Sequence, residues 1–138
     1  MRKTTFIGFI LIASSAFASC NKINKNTNIR DLFLGTYSVT KTWTENGQAM
    51  SKPAFSVSVE KASLNSTGVL LNNFVNYGSV ITVEATVSEY YMTIPQQTLP
   101  NLKAITGSGK TDGLTMTIAY TENYDGISVD IKATAKKK

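Results

Sequence analysis

The stretch LTMTIAY at residues 114–120 alternates large apolar side chains with threonine and alanine, and NYDG at 123–126 links it to a second alternating stretch, ISVDIKA at 127–133. Successive side chains of a β-strand point to opposite faces, so a period of two predicts strands with one buried face. An Asp-Gly pair between two such stretches is a strong sign of a hairpin. This segment therefore predicts antiparallel β-structure.

The same period of two continues through most of the chain from Gly35 onward, with a further hairpin signal at ENGQ, residues 45–48. Lys41 is the exception in the first strand, where apolar neighbours share its face. The residues predicted to face the interior, where a ligand would bind, are Tyr37, Val39, Trp43, Phe55, Val57, Val59, Ile81, Val83, Leu114, Met116, Ile118 and Tyr120.

About eight predicted strands follow one another through short turns, without an amphipathic helix long enough for a crossover. Parallel neighbours need such crossovers, so the sheet is predicted to be antiparallel. Hairpin-sized connections favour an all-β, eight-stranded up-and-down barrel, with a β-sandwich as the alternative. Residues 29–34 are predicted to form a helical turn that plugs one end, and Pro95 is predicted to end a strand.

The sequence GSGKT at 107–111 resembles the end of a phosphate-binding loop. That motif requires an earlier glycine, where this chain has Ala104, and a helix after the loop, where this chain has an alternating strand. We therefore interpret the segment as a glycine-rich hairpin loop and predict no nucleotide binding.

The N-terminus has the order of an export signal, with Arg2 and Lys3, an apolar run at 6–12, and small residues before Cys20. The segment resembles a bacterial lipobox, in which the cysteine is acylated and becomes the mature N-terminus. The predicted organisation is a signal peptide at 1–19, a polar tether at 20–28, one barrel domain at 29–135 and a soluble basic tail at 136–138.

Composition narrows the classes of function. Without Arg2 and Lys3, the chain carries 12 basic and 9 acidic residues, and no concentrated basic face indicates nucleic-acid binding. There is no histidine, and Cys20 is the only cysteine. Glu60, Glu84, Asp130 and Lys132 fall on the polar faces of strands. These features predict a protein that is not an enzyme and that uses no cofactor or metal.

Several short blocks resemble small lipocalin-like, or calycin-like, lipoproteins of Gram-negative anaerobic bacteria. LGTY at 34–37 is similar to the Gly-x-Trp start of a lipocalin first strand, with Tyr37 in the place of tryptophan. Further blocks are NF at 73–74, YG at 77–78, ATV at 85–87, TIPQQ at 93–97 and GSG at 107–109. The resemblance implies an eight-stranded up-and-down barrel. It implies no specific biochemical role, because the group has no settled one.

Two hypotheses follow for a protein anchored by lipid in the cell envelope, at the outer membrane and facing the periplasm. In the first, the barrel interior binds a small apolar ligand. In the second, the barrel is filled and the protein is an interaction or structural subunit of an envelope assembly, which the exposed-looking Tyr77, Tyr90, Tyr91 and Tyr124 would favour.

Overall fold

The computed structural model of the chain describes residues 28–77, 81–101 and 103–138. The predicted signal peptide, Cys20 and nearly all of the predicted tether lie outside the described residues. Within the described residues, no helix combines the length and the apolar character that crossing a membrane requires.

One short 3₁₀ helix, Ile29–Leu32, precedes eight strands that pair in chain order into a closed antiparallel barrel. β8 pairs with β1, which closes the sheet, so the barrel prediction is confirmed and the sandwich alternative is wrong. The strands are β1 (Gly35–Glu45), β2 (Gln48–Lys61), β3 (Gly68–Asn72), β4 (Thr82–Ser88), β5 (Tyr91–Thr98), β6 (Ala104–Thr111), β7 (Thr115–Tyr124) and β8 (Ile127–Lys137).

Both predicted Asx-Gly hairpins form. In the β1–β2 turn, Asn46 has φ 49° and Gly47 has φ 78°, and in the β7–β8 turn, Asp125 has φ 49° and Gly126 has φ 76°. Two consecutive residues with positive φ are the mark of a type I′ turn, whose twist matches that of the flanking strands. These turns set the register of the two longest hairpins.

The interior of the barrel is a continuous apolar core. Nine of the twelve predicted interior residues are buried in it: Tyr37, Val39, Val57, Val59, Ile81, Val83, Met116, Ile118 and Tyr120. Trp43 and Phe55 are half-buried against the core. Leu114 was predicted wrongly, because it belongs to the β6–β7 turn, before β7 begins, and is exposed to solvent.

Two predicted strand boundaries are also wrong. β5 continues past Pro95, with a register shift between Ile94 and Gln97. The Gln97 side chain accepts a hydrogen bond from Glu84 N (2.9 Å) and donates one to Glu84 O (2.8 Å), so it supplies pairing where proline has no N–H to donate. β6 contains residues 107–109, which therefore form part of a strand rather than a loop.

The C-terminal lysines belong to the barrel. β8 extends to Lys137, which lies opposite Tyr37 of β1, and the backbone N–H of Lys138 donates to Thr36 O (2.9 Å). The domain therefore extends beyond the predicted boundary at residue 135. Pairing with β1 holds these lysines in place, in contrast to the predicted soluble tail.

The 3₁₀ helix covers one end of the barrel, which we call the helix end. The Asn28 side chain caps the helix by accepting a hydrogen bond from Arg30 N (3.1 Å). Phe33 follows the helix and is fully buried. The buried Tyr37 hydroxyl donates to Phe33 O (2.8 Å), which fixes the chain where it enters β1.

Tyr37→Phe should lower the free energy of unfolding by about 1 kcal/mol, because it leaves a buried carbonyl oxygen without this hydrogen bond. Urea unfolding followed by circular dichroism measures the change. Tyr91→Phe is the matched control, since Tyr91 is exposed and its hydroxyl makes no hydrogen bond in the described part of the chain. Equal losses in the two variants would contradict the assigned role of the Tyr37 hydroxyl.

Candidate functional site

A cavity of about 250 Å³ opens at the end of the barrel opposite the 3₁₀ helix. We call this end the mouth end and the cavity the mouth cavity. Its lining residues are Lys41, Trp43, Lys52, Val75, Tyr77, Lys103, Glu122, Val129 and Ile131. Trp43 alone among the predicted interior residues lines it, so the cavity lies above the packed core.

Strand alternation brings the charged side chains to this place. Lys41 lies on the inward face of β1 between Val39 and Trp43, and a register shift after Val39 pairs it with Lys52 of β2. Glu122 continues the inward series of β7 beyond Tyr120. The sequence signal for Lys41 is that it interrupts an apolar series, but alternation alone marks it as an exception and not as a site residue.

Lys41 is the most unusual side chain of the cavity. It is 3% exposed, and its Nζ lies over the rings of Phe55 (5.2 Å), Phe74 (5.1 Å) and Tyr120 (5.0 Å). Among the described residues, no acceptor makes a hydrogen bond to this amine. Burial lowers the pKa of Lys41 to about 8, with Glu122 opposing the shift and the charges of Lys52 and Lys103 adding to it.

Lys103 and Glu122 form the ion pair of the cavity, with Nζ and Oε2 3.0 Å apart. The same amine donates a hydrogen bond to the Tyr77 hydroxyl and lies 4.6 Å from the centre of the Tyr77 ring. Burial lowers the pKa of Lys103, but the hydrogen bonds to Tyr77 and Glu122 outweigh it, so the net pKa is raised. This network holds Tyr77 at the rim.

The Tyr120 hydroxyl is buried without a hydrogen-bond partner in the described part of the chain. Burial, and then the negative charge of Glu122, raise the pKa of Tyr120. Glu122 is thus close enough to act electrostatically, but the two groups do not meet the geometry of a hydrogen bond. The Tyr120 ring packs against Phe74, with ring centres 4.9 Å apart.

The mouth cavity therefore combines three amines with one carboxylate, an excess of two positive charges when every amine is protonated. Trp43, Val75, Val129 and Ile131 add an apolar wall. Within the described residues, no group of three or more His, Cys, Asp or Glu side chains is placed to hold a metal ion. The arrangement suits a small anion that carries an apolar part.

A larger depression of about 540 Å³ lies on the outside of β5–β8. Its lining includes the outward-facing Thr93, Ser108, Lys110, Thr117 and Lys132. These five side chains are exposed, so none of them places a buried charge in the depression as Lys41 does in the mouth cavity. The mouth cavity is the better candidate, because buried charges are costly unless something neutralises them.

Comparisons with known proteins support the fold. No protein-family model matches the chain, and no curated protein does. A solved structure of a "putative outer membrane protein" from Bacteroides fragilis NCTC 9343 is similar, with a TM-score of 0.55 and 18% sequence identity. The similarity covers 80% of this chain and 53% of the other, so this chain spans about half of that structure's length. At this identity the likeness establishes the barrel architecture, while membership of the lipocalins is not confirmed.

Proposed function

We propose that this chain is a non-enzymatic protein of the cell envelope, anchored by lipid at Cys20, whose barrel binds a small organic anion in the mouth cavity. The observation that carries the proposal is the buried Lys41 amine, which has aromatic rings around it and no acceptor among the described residues. A bound carboxylate would give this amine a charged partner.

The proposed ligand differs from an apolar ligand inside the barrel in two respects: it binds at the mouth of the barrel, and it carries a negative charge. The core below the mouth is occupied by buried side chains such as Tyr37, Leu71 and Met116. The mouth cavity is smaller than the 300–1,000 Å³ typical of drug-sized ligand sites, which favours a compact ligand. An anionic group would meet Lys41 and Lys52, while an apolar part would contact Trp43.

The envelope location is supported by the sequence before the barrel. Cys20 follows an apolar run and small residues, in the order of a lipoprotein signal. The similar solved structure is described as a "putative outer membrane protein", which agrees with this location. The order of the signal supports the proposed lipid anchor. Labelling cells with a palmitate analogue tests it, with Cys20→Ser as the control.

Hexanoate should quench or shift the fluorescence of Trp43 in a saturable way, because Trp43 is the sole tryptophan and lines the cavity. Hexanol and hexylamine, of similar length but without a negative charge, should have little effect. Lys52→Gln should weaken hexanoate binding by about tenfold, the effect of losing a charge-assisted interaction.

Lys110→Gln is the matched control, since it removes the same charge from the outer surface. Equal weakening by Lys52→Gln and Lys110→Gln would mean that hexanoate binds through general charge attraction. Stronger binding of hexanol than of hexanoate would overturn the anion proposal. Failure of all three probes would favour the second candidate, a filled barrel that serves as an interaction subunit in an envelope assembly.

A further inference from the structure

Every connection at the helix end of the barrel carries an exposed apolar side chain. The 3₁₀ helix has Ile29, the β2–β3 loop has Leu64, the β4–β5 turn has Tyr90 and the β6–β7 turn has Leu114. Leu64 is 100% exposed and Leu114 is 72% exposed. Single exposed apolar side chains are ordinary, but one on each connection of the same end makes a patch that is typical of an interaction surface.

These side chains are carried on fixed backbone. Arg30 Nη1 donates to Ala62 O (3.2 Å) and Asn65 O (2.8 Å), which ties the 3₁₀ helix to the loop that carries Leu64. In the β6–β7 turn, Asp112 Oδ1 accepts hydrogen bonds from Leu114 N (2.8 Å) and Thr115 N (2.6 Å). The exposed patch is therefore displayed in a defined arrangement.

The mouth end is built differently. Its two hairpin tips are the polar pairs Asn46-Gly47 and Asp125-Gly126. Tyr77, in the β3–β4 connection, has its hydroxyl bound by Lys103. In the described part of the chain, the other exposed large apolar side chains of this end, Met50, Tyr124 and Ile127, lie on the strands beside the tips. Among the described residues, each connection of the helix end carries an exposed large apolar side chain, whereas at the mouth end only the β3–β4 connection does, at Tyr77.

The chain enters the barrel at the helix end. Nine residues, from Cys20 to Asn28, separate the proposed lipid from the helix, and a fully extended segment of that length spans at most about 30 Å. β8 ends here as well and brings Lys136, Lys137 and Lys138 to this end. Lysine and tyrosine beside exposed leucine are the residue types that favour a lipid–water interface.

We infer that the helix end of the barrel lies against a bilayer surface, with Ile29, Leu64, Tyr90 and Leu114 in the interface and the mouth cavity directed away from it. The inference rests on the proposed lipid anchor, which keeps this end near the bilayer. The apolar side chains lose their contact with water, and the lysines meet lipid phosphates. The cavity then faces the solvent from which an anion arrives.

Tryptophan quenching by brominated lipids tests the orientation. The chain from residue 20 is coupled through Cys20 to a maleimide lipid in vesicles of phosphatidylethanolamine and phosphatidylglycerol. Leu64→Trp and Leu114→Trp, each with Trp43→Phe, should show a roughly twofold loss of fluorescence when the acyl chains are brominated, since interfacial residues reach the acyl boundary. Ile127→Trp in the same background is the matched exposed control at the mouth end and should show no loss.

Equal quenching at residues 64 and 127, or none at residues 64 and 114, would overturn the inference. Chemical coupling makes this result independent of acylation in cells, which the palmitate label measures separately. A chain that is not acylated but is quenched at residues 64 and 114 would refute the anchor and retain the surface. A chain that is acylated but not quenched at residues 64 and 114 would support the anchor and refute the bilayer-facing surface.

Discussion

Gly107→Ala is expected to lower the free energy of unfolding by about 3 kcal/mol, because a methyl group at this position has no room. An ideal Cβ would lie 2.5 Å from Tyr120 Cβ and 2.6 Å from Ala119 O. Both contacts are closer than real Cβ atoms allow, and one of them is with backbone. Relief requires β6 to move away from β7, with which Gly107 pairs directly at Tyr120.

Two neighbouring substitutions make the comparison quantitative. At Gly109 the nearest atoms to an added Cβ are Thr117 O at 2.9 Å and Ile118 Cγ1 at 3.0 Å, so Gly109→Ala should cost about 1 kcal/mol. Ser108→Ala changes an exposed outer side chain and should stay within about 0.5 kcal/mol of the original protein. Urea unfolding gives the three values.

The expected order is therefore Ser108→Ala, then Gly109→Ala, then Gly107→Ala with the largest loss. Similar stability of all three variants would show that β6 adjusts freely and that these glycines are not required for packing. In a Tyr120→Phe background, Gly107→Ala should cause the same loss of stability, because the obstructing atoms are Ala119 O and the Cα and Cβ of residue 120, which that background retains.

The same glycines show where sequence reasoning succeeds and where it fails. Alternation predicted the strands and most of the core, since a buried face requires a period of two. The short connections predicted the antiparallel order, because parallel neighbours need longer crossovers. Alternation did not place residues 107–109 within β6, because glycine has no side chain to show the period. Close approach to Tyr120 is a property of two strands together, and neither strand reveals it alone.

The site was missed for a related reason. Lys41 and Glu122 occupy inward positions of β1 and β7, but a charged residue in an apolar series is ordinarily assigned to the surface. Lys103 and Tyr77 come from connections, whose positions depend on how the barrel closes. Alternation therefore predicted the barrel wall, whereas the mouth cavity depends on contacts between distant segments.

Lys41→Met should raise the free energy of unfolding at pH 7 by about 3 kcal/mol. Folding lowers the pKa of Lys41 from 10.5 to about 8. Each pKa unit corresponds to about 1.4 kcal/mol by which burial of the charged amine destabilises the folded state. Methionine is of similar length and keeps the contacts with Phe55 and Phe74 without the charge. Urea unfolding of both proteins measures the difference.

The sign of the pH dependence gives an independent test. Below about pH 8 the amine is charged in both states, and between about 8 and 10.5 the unfolded chain keeps a proton that the folded chain has released. Stability of the original protein should therefore rise with pH across this window, so that its difference from Lys41→Met shrinks. Tyrosine ionisation in the unfolded chain is common to both proteins, so it cancels in the difference between them.

Lys132→Met is the control, because it removes an exposed outer lysine and should give a difference that is small and independent of pH. A Lys41→Met protein that is less stable at pH 7 would contradict the burial cost assigned to the amine. Hexanoate binding should change in the opposite direction to stability, since Lys41→Met should no longer bind hexanoate. A substitution that stabilises the fold while removing the ligand would show that the barrel retains a costly charge for the sake of binding, since packing alone favours its removal.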